Sequence, residues 1–315
     1  MAKFFVTVRS VDGDAFGTAL GAIRYLVVPD GEEPRPSHRV GLRDWIARIM
    51  ASFQRDGKGS AFGDALFFVH GYNTGAADVD AAHRAIVAGL AGRMTVTVIS
   101  FDWPSADETF AYLPDLDIAK RTAIDLVNAA IKPLLAAQTQ DCRVAIHALC
   151  HSMGAYVLRE ALDHADDGIK TGSGWTLNQL ALIGGDVDAD DFVAGNKDTE
   201  SMLGHAYRLT NYFNRHDEIL QISNAKWVGV APRLGRVGLP PNAPSKTVNV
   251  NCSAHFETLT PPAPDPLSVA RFSHSWYFND AHFYADLAQT LIGAQDRLVV
   301  AGRGRDDEGN LTLGA

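Results

Sequence analysis

Val144-Ala145-Ile146-His147-Ala148-Leu149 runs directly into Cys150-His151-Ser152-Met153-Gly154. The first six residues read as a buried strand. After the serine, Ala155, Leu158, Ala161 and Leu162 recur at helical spacing, as in a helix buried along one face. A serine held in a sharp strand-to-helix turn needs small residues two before and two after it, because the backbone crowds itself there. Cys150 and Gly154 fill those positions, so the pattern is C-x-S-x-G where G-x-S-x-G is usual. The flanking strand and helix are the context that makes this pentapeptide a nucleophile elbow.

Working outward, short β-branched or aromatic runs alternate with helical stretches. Strands are expected at 4–9, 65–69, 96–101, 144–149, 180–183, 207–211 and 247–251, and helices at 42–53, 79–90, 118–136, 154–164 and 278–292. Several strands are continuous apolar runs, as parallel strands covered on both faces are. The expectation is an α/β fold with a mostly parallel central sheet and helices on both faces. One domain spans 1–301, with an N-terminal extension over about 1–60. Residues 233–245, rich in Gly and Pro, read as a loop, and the polar, Gly-rich 302–315 as a loose tail.

Composition narrows the function classes. The 315 residues are 46% hydrophobic and 21% charged, with a net charge of −9, which provides no basic field for nucleic acid. No stretch reaches the roughly 18 apolar residues of a membrane-spanning helix. The opening residues are too soon charged for a signal peptide. Cys142, Cys150 and Cys252 lack C-x-x-C spacing and leave one thiol over in any pairing, so a reduced cytoplasmic protein is expected.

A serine hydroxyl becomes a nucleophile only when a base takes its proton and a third group holds the base. With an elbow of this kind the chain order is Ser, then Asp or Glu, then His. Asp217 follows the strand at 207–211 and is the expected acid; Asp186, one strand earlier, is the alternative and would otherwise belong to a helix-capping acidic cluster. His274 follows the last strand and is the expected base. His255 directly follows that strand and is a second candidate, while His282 is expected inside a helix as a packed or surface residue. His151 is expected to pack over the elbow.

Two N–H groups must converge to hold an oxyanion. One is that of Met153, after the serine; the other is that of Tyr72, in the loop Val69-His70-Gly71-Tyr72-Asn73. Gly71 lets that backbone run close to substrate. Cys150 is expected to be a buried, apolar residue rather than a nucleophile. The histidines are scattered, with no H-E-x-x-H or paired-cysteine pattern, so neither a metal nor another cofactor is expected.

Val69-His70-Gly71-Tyr72-Asn73, Ser100-Phe101-Asp102-Trp103-Pro104-Ser105 and His151-Ser152-Met153-Gly154 together resemble bacterial α/β-hydrolases catalogued as a domain of unknown function. Asp186-Val187-Asp188-Ala189-Asp190, Asp217 and His274-Ser275-Trp276-Tyr277 are similar to that group's later segments, so the likeness runs from about 67 to 287. It implies the α/β-hydrolase fold, Ser152, Asp217 and His274 as a triad, and the Tyr72 and Met153 amides as the oxyanion hole. Cys150 departs from the group's Ala or Gly. Gly184-Gly185 stands in place of Ala-Pro, which is expected to leave the Asp186 loop less rigid.

These residues point to a serine carboxylesterase acting on a small-molecule ester, with a thioesterase, an amidase or a binding protein of the same fold as alternatives. Residues 187–205 are short and polar, unlike the amphipathic lid of an interfacial lipase. No large lid is expected, and short-to-medium acyl chains are. His70, Gly71, Phe101, Trp103 and Trp276 are the candidate pocket residues, with core packing as the other reading of the aromatic ones.

Overall fold

The computed structural model describes residues 2–105, 112–166, 174–225, 232–293 and 299–314. The strands are β1 (Lys3–Asp12), β2 (Ala15–Val28), β3 (Arg39–Val40), β4 (Gln54–Arg55), β5 (Ala61–Val69), β6 (Val96–Asp102), β7 (Arg143–His151), β8 (Leu177–Ile183), β9 (Ala206–Phe213), β10 (Thr247–Asn251), β11 (Gly304–Arg305) and β12 (Leu311–Thr312). They form one sheet in the order β11-β12-β10-β9-β8-β7-β5-β6-β1-β2-β3, with β4 beside β5. From β12 through β1 every neighbouring pair is parallel.

Helices cover both faces. They are α1 (Leu42–Ser52), α2 (Ala76–Leu90), α3 (Tyr112–Asp125), α4 (Lys132–Ala136), α5 (Gly154–Asp166), α6 (Glu200–Gly204), α7 (Glu218–Ala225), α8 (Leu234–Val237), α9 (Ser253–Phe256), α10 (Pro266–Ser275) and α11 (Ala281–Ile292). The apolar strands feed two cores, one on each face. Phe67, Val69, Ile146 and Ala148 face one, with α5 packed on it; Leu66, Phe68, Leu149 and Ala181 face the other, with α11. This period-two split is what a parallel sheet buried on both sides requires.

The chain runs from β5 to β6 on one side and then returns to place β7 on the other side of β5. Ligand sites in such sheets lie outside the carboxyl ends of the strands at this reversal. Ser152 follows β7 and the 70–74 loop follows β5, so both stand at the reversal.

Several elements differ from the sequence expectation. The N-terminal segment is no appendage: β1 pairs in parallel with β6, and β2 adds a long antiparallel edge. The helix expected over 118–136 begins at Tyr112 and widens to a π-helical stretch over Leu126–Ile131. The last helix starts at Ala281, after a 3₁₀ turn at Trp276–Asn279. The loop at 233–245 contains α8.

The segment expected to be a loose tail is docked. Its β12 pairs with β10, and Leu311 and Leu313 are buried. Arg303 binds Asp286 of α11 through Nε and Nη2 at 2.7 and 2.6 Å. Apolar residues at alternate positions and one buried ion pair outweigh the tail's polar composition. Residues 187–205 hold two 3₁₀ turns and α6, with Phe192 and Met202 in the core; no large lid is present among the described residues. No helix among the described residues is long and apolar enough to cross a membrane.

Candidate active site

Ser152 occupies the left-handed region, φ +54°, between the end of β7 and the start of α5. A non-glycine residue there is strained, and hydrogen bonds on both sides hold it. Its N–H donates to Ile183 O at 3.1 Å, and its carbonyl accepts from Asp186 N–H at 3.0 Å and Ala155 N–H at 3.1 Å. The glycine two residues on has a steric cause: a Cβ on Gly154 would lie 2.2 Å from the Val69 carbonyl oxygen. Cys150 is fully buried in the core, and burial pushes its thiol well above the ordinary range.

His274 sits in the last turn of α10, and Asp217 opens α7 after β9. His274 Nδ1 donates to Asp217 Oδ2 at 2.7 Å. Asp217 is fully buried and its Oδ1 accepts from Leu220 N–H at 2.9 Å. The two segments are stapled by backbone contacts as well. Asn214 Nδ2 donates to Ser273 O at 3.0 Å, and Glu218 N–H donates to Ser273 Oγ at 3.0 Å. Burial alone would lower the His274 pKa, but the charge and hydrogen bond of Asp217, with the field of Asp186, carry it above 6.5.

The serine turn and this pair meet at Gly184. Ser152 bonds Ile183, and a Cβ on Gly184 would lie 3.3 Å from His274 Nδ1 and Cε1. His151 closes the same cluster. Its Nε2 donates to the His274 carbonyl at 3.0 Å, and the two rings stand 4.6 Å apart. Burial, then the charge of His274, hold His151 down to about 3. It packs over the elbow as a neutral ring.

Asp186, the alternative acid, is turned to other partners. Its Oδ1 lies 3.1 Å from Arg233 Nε, and the same guanidinium reaches Asp188 at 2.8 Å. The Gly184-Gly185 segment, expected to be less rigid, is pinned to α8: Gly235 N–H donates to Gly185 O at 2.9 Å and Leu234 N–H to Val187 O at 2.8 Å.

The 70–74 loop lies directly over the serine. A Cβ on Gly71 would stand 2.6 Å from Ser152 Cβ and 3.2 Å from Ser152 Oγ, so no larger residue fits. The Gly71 carbonyl accepts from His70 Nδ1 at 2.8 Å and Thr74 Oγ1 at 3.1 Å. In a trans peptide the following N–H points the opposite way, so these two bonds fix the direction of the Tyr72 amide.

His70 is held in turn by Trp103 N–H, which donates to its Nε2 at 3.1 Å. Trp103 Nε1 donates to His70 O at 3.0 Å, and the two rings stack 5.4 Å apart. Beneath them Arg9 Nε binds Asp102 Oδ1 at 2.6 Å, Thr7 Oγ1 binds Asp102 Oδ2 at 2.7 Å, and Arg9 Nη2 reaches Thr74 O at 2.6 Å. Burial pushes the Asp102 carboxyl up, yet the Arg9 charge holds it below the usual range. Sequence reading missed Arg9 and gave Asp102 no role; their residue types carry no local signal, since the pair spans 93 positions.

Trp103 and Trp276, candidate pocket residues, are 0% and 1% exposed, and Phe101 is 0% exposed. They are core, not wall: Trp103 braces His70, and Trp276 stacks on Tyr277 at 4.2 Å. His255 is bound to Asp280 at 2.9 Å, away from Asp217, and His282 lies exposed in the first turn of α11.

Among solved structures the chain is similar to an esterase from the archaeon Pyrobaculum calidifontis, at 12% identity and a TM-score of 0.36, covering 78% of this chain and 80% of that one. It is also similar to an α/β hydrolase from the metagenome of Lake Arreo, at 14% identity and a TM-score of 0.38, covering 90% and 83%. A Trichoderma reesei cutinase is similar at 12% identity and a TM-score of 0.30, covering 79% and 84%. No curated protein matches the sequence. The family model described as an alpha/beta hydrolase of unknown function matches residues 48–273, and the chain belongs to that family.

Proposed function

We propose that this chain is a serine carboxylesterase, acting on short-to-medium acyl esters through Ser152, His274 and Asp217. The observation that carries the reading is the buried 2.7 Å bond from His274 to Asp217, beside a serine held at φ +54°. A histidine with Nδ1–H committed to a carboxylate presents Nε2 as the base. Ser152 Oγ attacks the ester carbonyl as His274 takes its proton. The carbonyl oxygen becomes an oxyanion held by the Tyr72 and Met153 N–H groups, each worth about 3 kcal/mol in the transition state. His274 then protonates the leaving alcohol. Water attacks the acyl-enzyme by the same route, releasing the acid and restoring Ser152.

Asp217 orients the imidazole and stabilises its charged form. The 187–205 segment, packed into the core through Phe192 and Met202, supports the short-chain reading. A panel of p-nitrophenyl esters from acetyl to palmitoyl tests the reading. Turnover falling with chain length in the wild type, and lower by on the order of 10⁶ in Ser152→Ala, is expected. Palmitoyl ester as the best substrate overturns the chain-length claim. Near-wild-type turnover in the variant overturns the nucleophile.

A further inference from the structure

The sequence spacing offers no metal motif, yet the fold brings three ligand-type side chains together at the far end of the base-bearing segment. His255 lies in α9, just after β10; Asp280 caps α11; and His282 stands in the first turn of that helix. One ligand atom from each lies within 4.8 Å of the other two. His255 and Asp280 are more than nine-tenths buried, whereas His282 is exposed and opens the cluster to solvent.

Two details set this cluster apart from an ordinary hydrogen-bonded pair. Asp280 divides its carboxylate: Oδ1 accepts the Phe283 N–H at 2.6 Å, and Oδ2 faces His255 Nε2 at 2.9 Å. One oxygen is thus oriented by the backbone while the other points into the cluster, as outer-shell hydrogen bonds orient ligating carboxylates. His255 Nδ1, meanwhile, is buried with no hydrogen-bond partner among the described residues. Among the described residues the ring's one polar partner is therefore Asp280 inside the cluster, and no bond outside the cluster fixes which ring nitrogen carries the proton. The rings of His255 and His282 meet edge to face, 5.0 Å between centroids, and Trp276 closes the buried side, 5.6 Å from His255.

We propose that His255, Asp280 and His282 form a binding site for Zn²⁺. Two imidazoles and a carboxylate are the donor set that divalent zinc takes, with a water completing four-coordination on the exposed side. The site is separate from the Ser152 chemistry and does not rest on it. Its place in the chain gives it a structural role. Asp280 is joined to His274 by only the 3₁₀ turn Trp276–Asn279. Zinc bound there ties α9, the end of the last long parallel strand, to the start of α11.

Isothermal titration of the full chain with Zn²⁺, and optical titration with Co²⁺ as a probe, test the site. One Zn²⁺ per chain, the visible bands of four-coordinate Co²⁺, and a higher melting temperature with Zn²⁺ are expected. His282→Ala is the first variant, since an exposed side chain is removed without disturbing the core. It should weaken Zn²⁺ by at least about tenfold, the loss that even outer-shell changes produce. Asp280→Asn, which keeps an acceptor for the Phe283 N–H, should weaken it similarly, and Ser152→Ala should bind as the wild type does. No stoichiometric binding by the wild type overturns the proposal, as does unchanged affinity in both His282→Ala and Asp280→Asn.

Discussion

His274 Nδ1 and Asp217 Oδ2 stand 2.7 Å apart across 57 positions of sequence, the carboxylate wholly buried and its second oxygen capped by the Leu220 N–H. Each segment alone leaves its side chain free to turn. Together, with Asn214 bound to Ser273, they fix the imidazole in one tautomer and one orientation.

Asp217→Asn keeps the shape and removes the charge. The amide can place its NH₂ against Nδ1, turning the ring to the wrong tautomer. Turnover is expected to fall by about 10⁴ while the melting temperature stays within a few degrees. Steady-state kinetics beside a thermal melt separates this from unfolding; less than about tenfold loss would mean that Asp217 does not orient the base.

The raised pKa of His274 fixes the pH profile. The base works only when neutral, so kcat/KM should climb along a limb whose midpoint lies above 6.5. Asp217 raises it more than Asp186 does, so in Asp217→Asn the midpoint should move to lower pH. A midpoint that stays put in the variant would assign the limb to another group.

Stability should respond with two opposite signs. His274, raised, contributes stability that is complete below the unfolded pKa and is lost as pH climbs through its folded value. His83 and His151 are both held down to about 3, chiefly by burial, so the unfolded chain takes up protons that the native chain refuses. The melting temperature should therefore fall between about pH 6 and pH 4, and His83→Gln should flatten the fall. A variant slope equal to the wild type would show that His83 does not drive it.

Arg9 and Asp102 support the loop over the serine as a buried pair. Arg9→Met leaves the Asp102 carboxylate uncompensated and is expected to cost about 3–5 kcal/mol in urea unfolding. Arg9→Met combined with Asp102→Asn should recover part of that loss. A single-variant cost below about 1 kcal/mol would place the pair among surface-like ion pairs.

Gly71 reports on the approach of that loop to Ser152. A methyl there would meet Ser152 Cβ at 2.6 Å. Gly71→Ala should abolish most ester turnover, since loop or serine must shift, and destabilise by about 1–3 kcal/mol. Full turnover in the variant would mean that the loop does not sit over the reacting centre.

Much of this was legible in the sequence because it is local. The parallel strands announce themselves as apolar runs, and the crowding around Ser152 leaves Cys150 and Gly154 as its mark. Chain order put Asp217 and His274 first but left Asp186 and His255 open; the fold joins the first two. What escaped depends on contacts between distant residues. β2 is exposed or half-buried over most of its length, and its apolar run, Tyr25-Leu26-Val27-Val28, is confined to its last four residues. The C-terminal hairpin hides behind Asp306, whose Oδ1 accepts the N–H groups of Glu308 and Asn310, so its polar turn reads as a tail. Trp103 and Trp276 carry the composition of pocket walls, and only three-dimensional packing shows them as core. The Arg9–Asp102 pair and the His255, Asp280, His282 cluster belong to the same class: ordinary residues whose meaning is made by the fold.

The most direct test is mass spectrometry of the full chain after reaction with a fluorophosphonate probe. A single adduct on Ser152, absent from Ser152→Ala and slowed severely in His274→Ala, is the predicted result. A wild-type chain that stays unlabelled, or an adduct that persists when Ser152 is replaced, would contradict an activated serine at this turn.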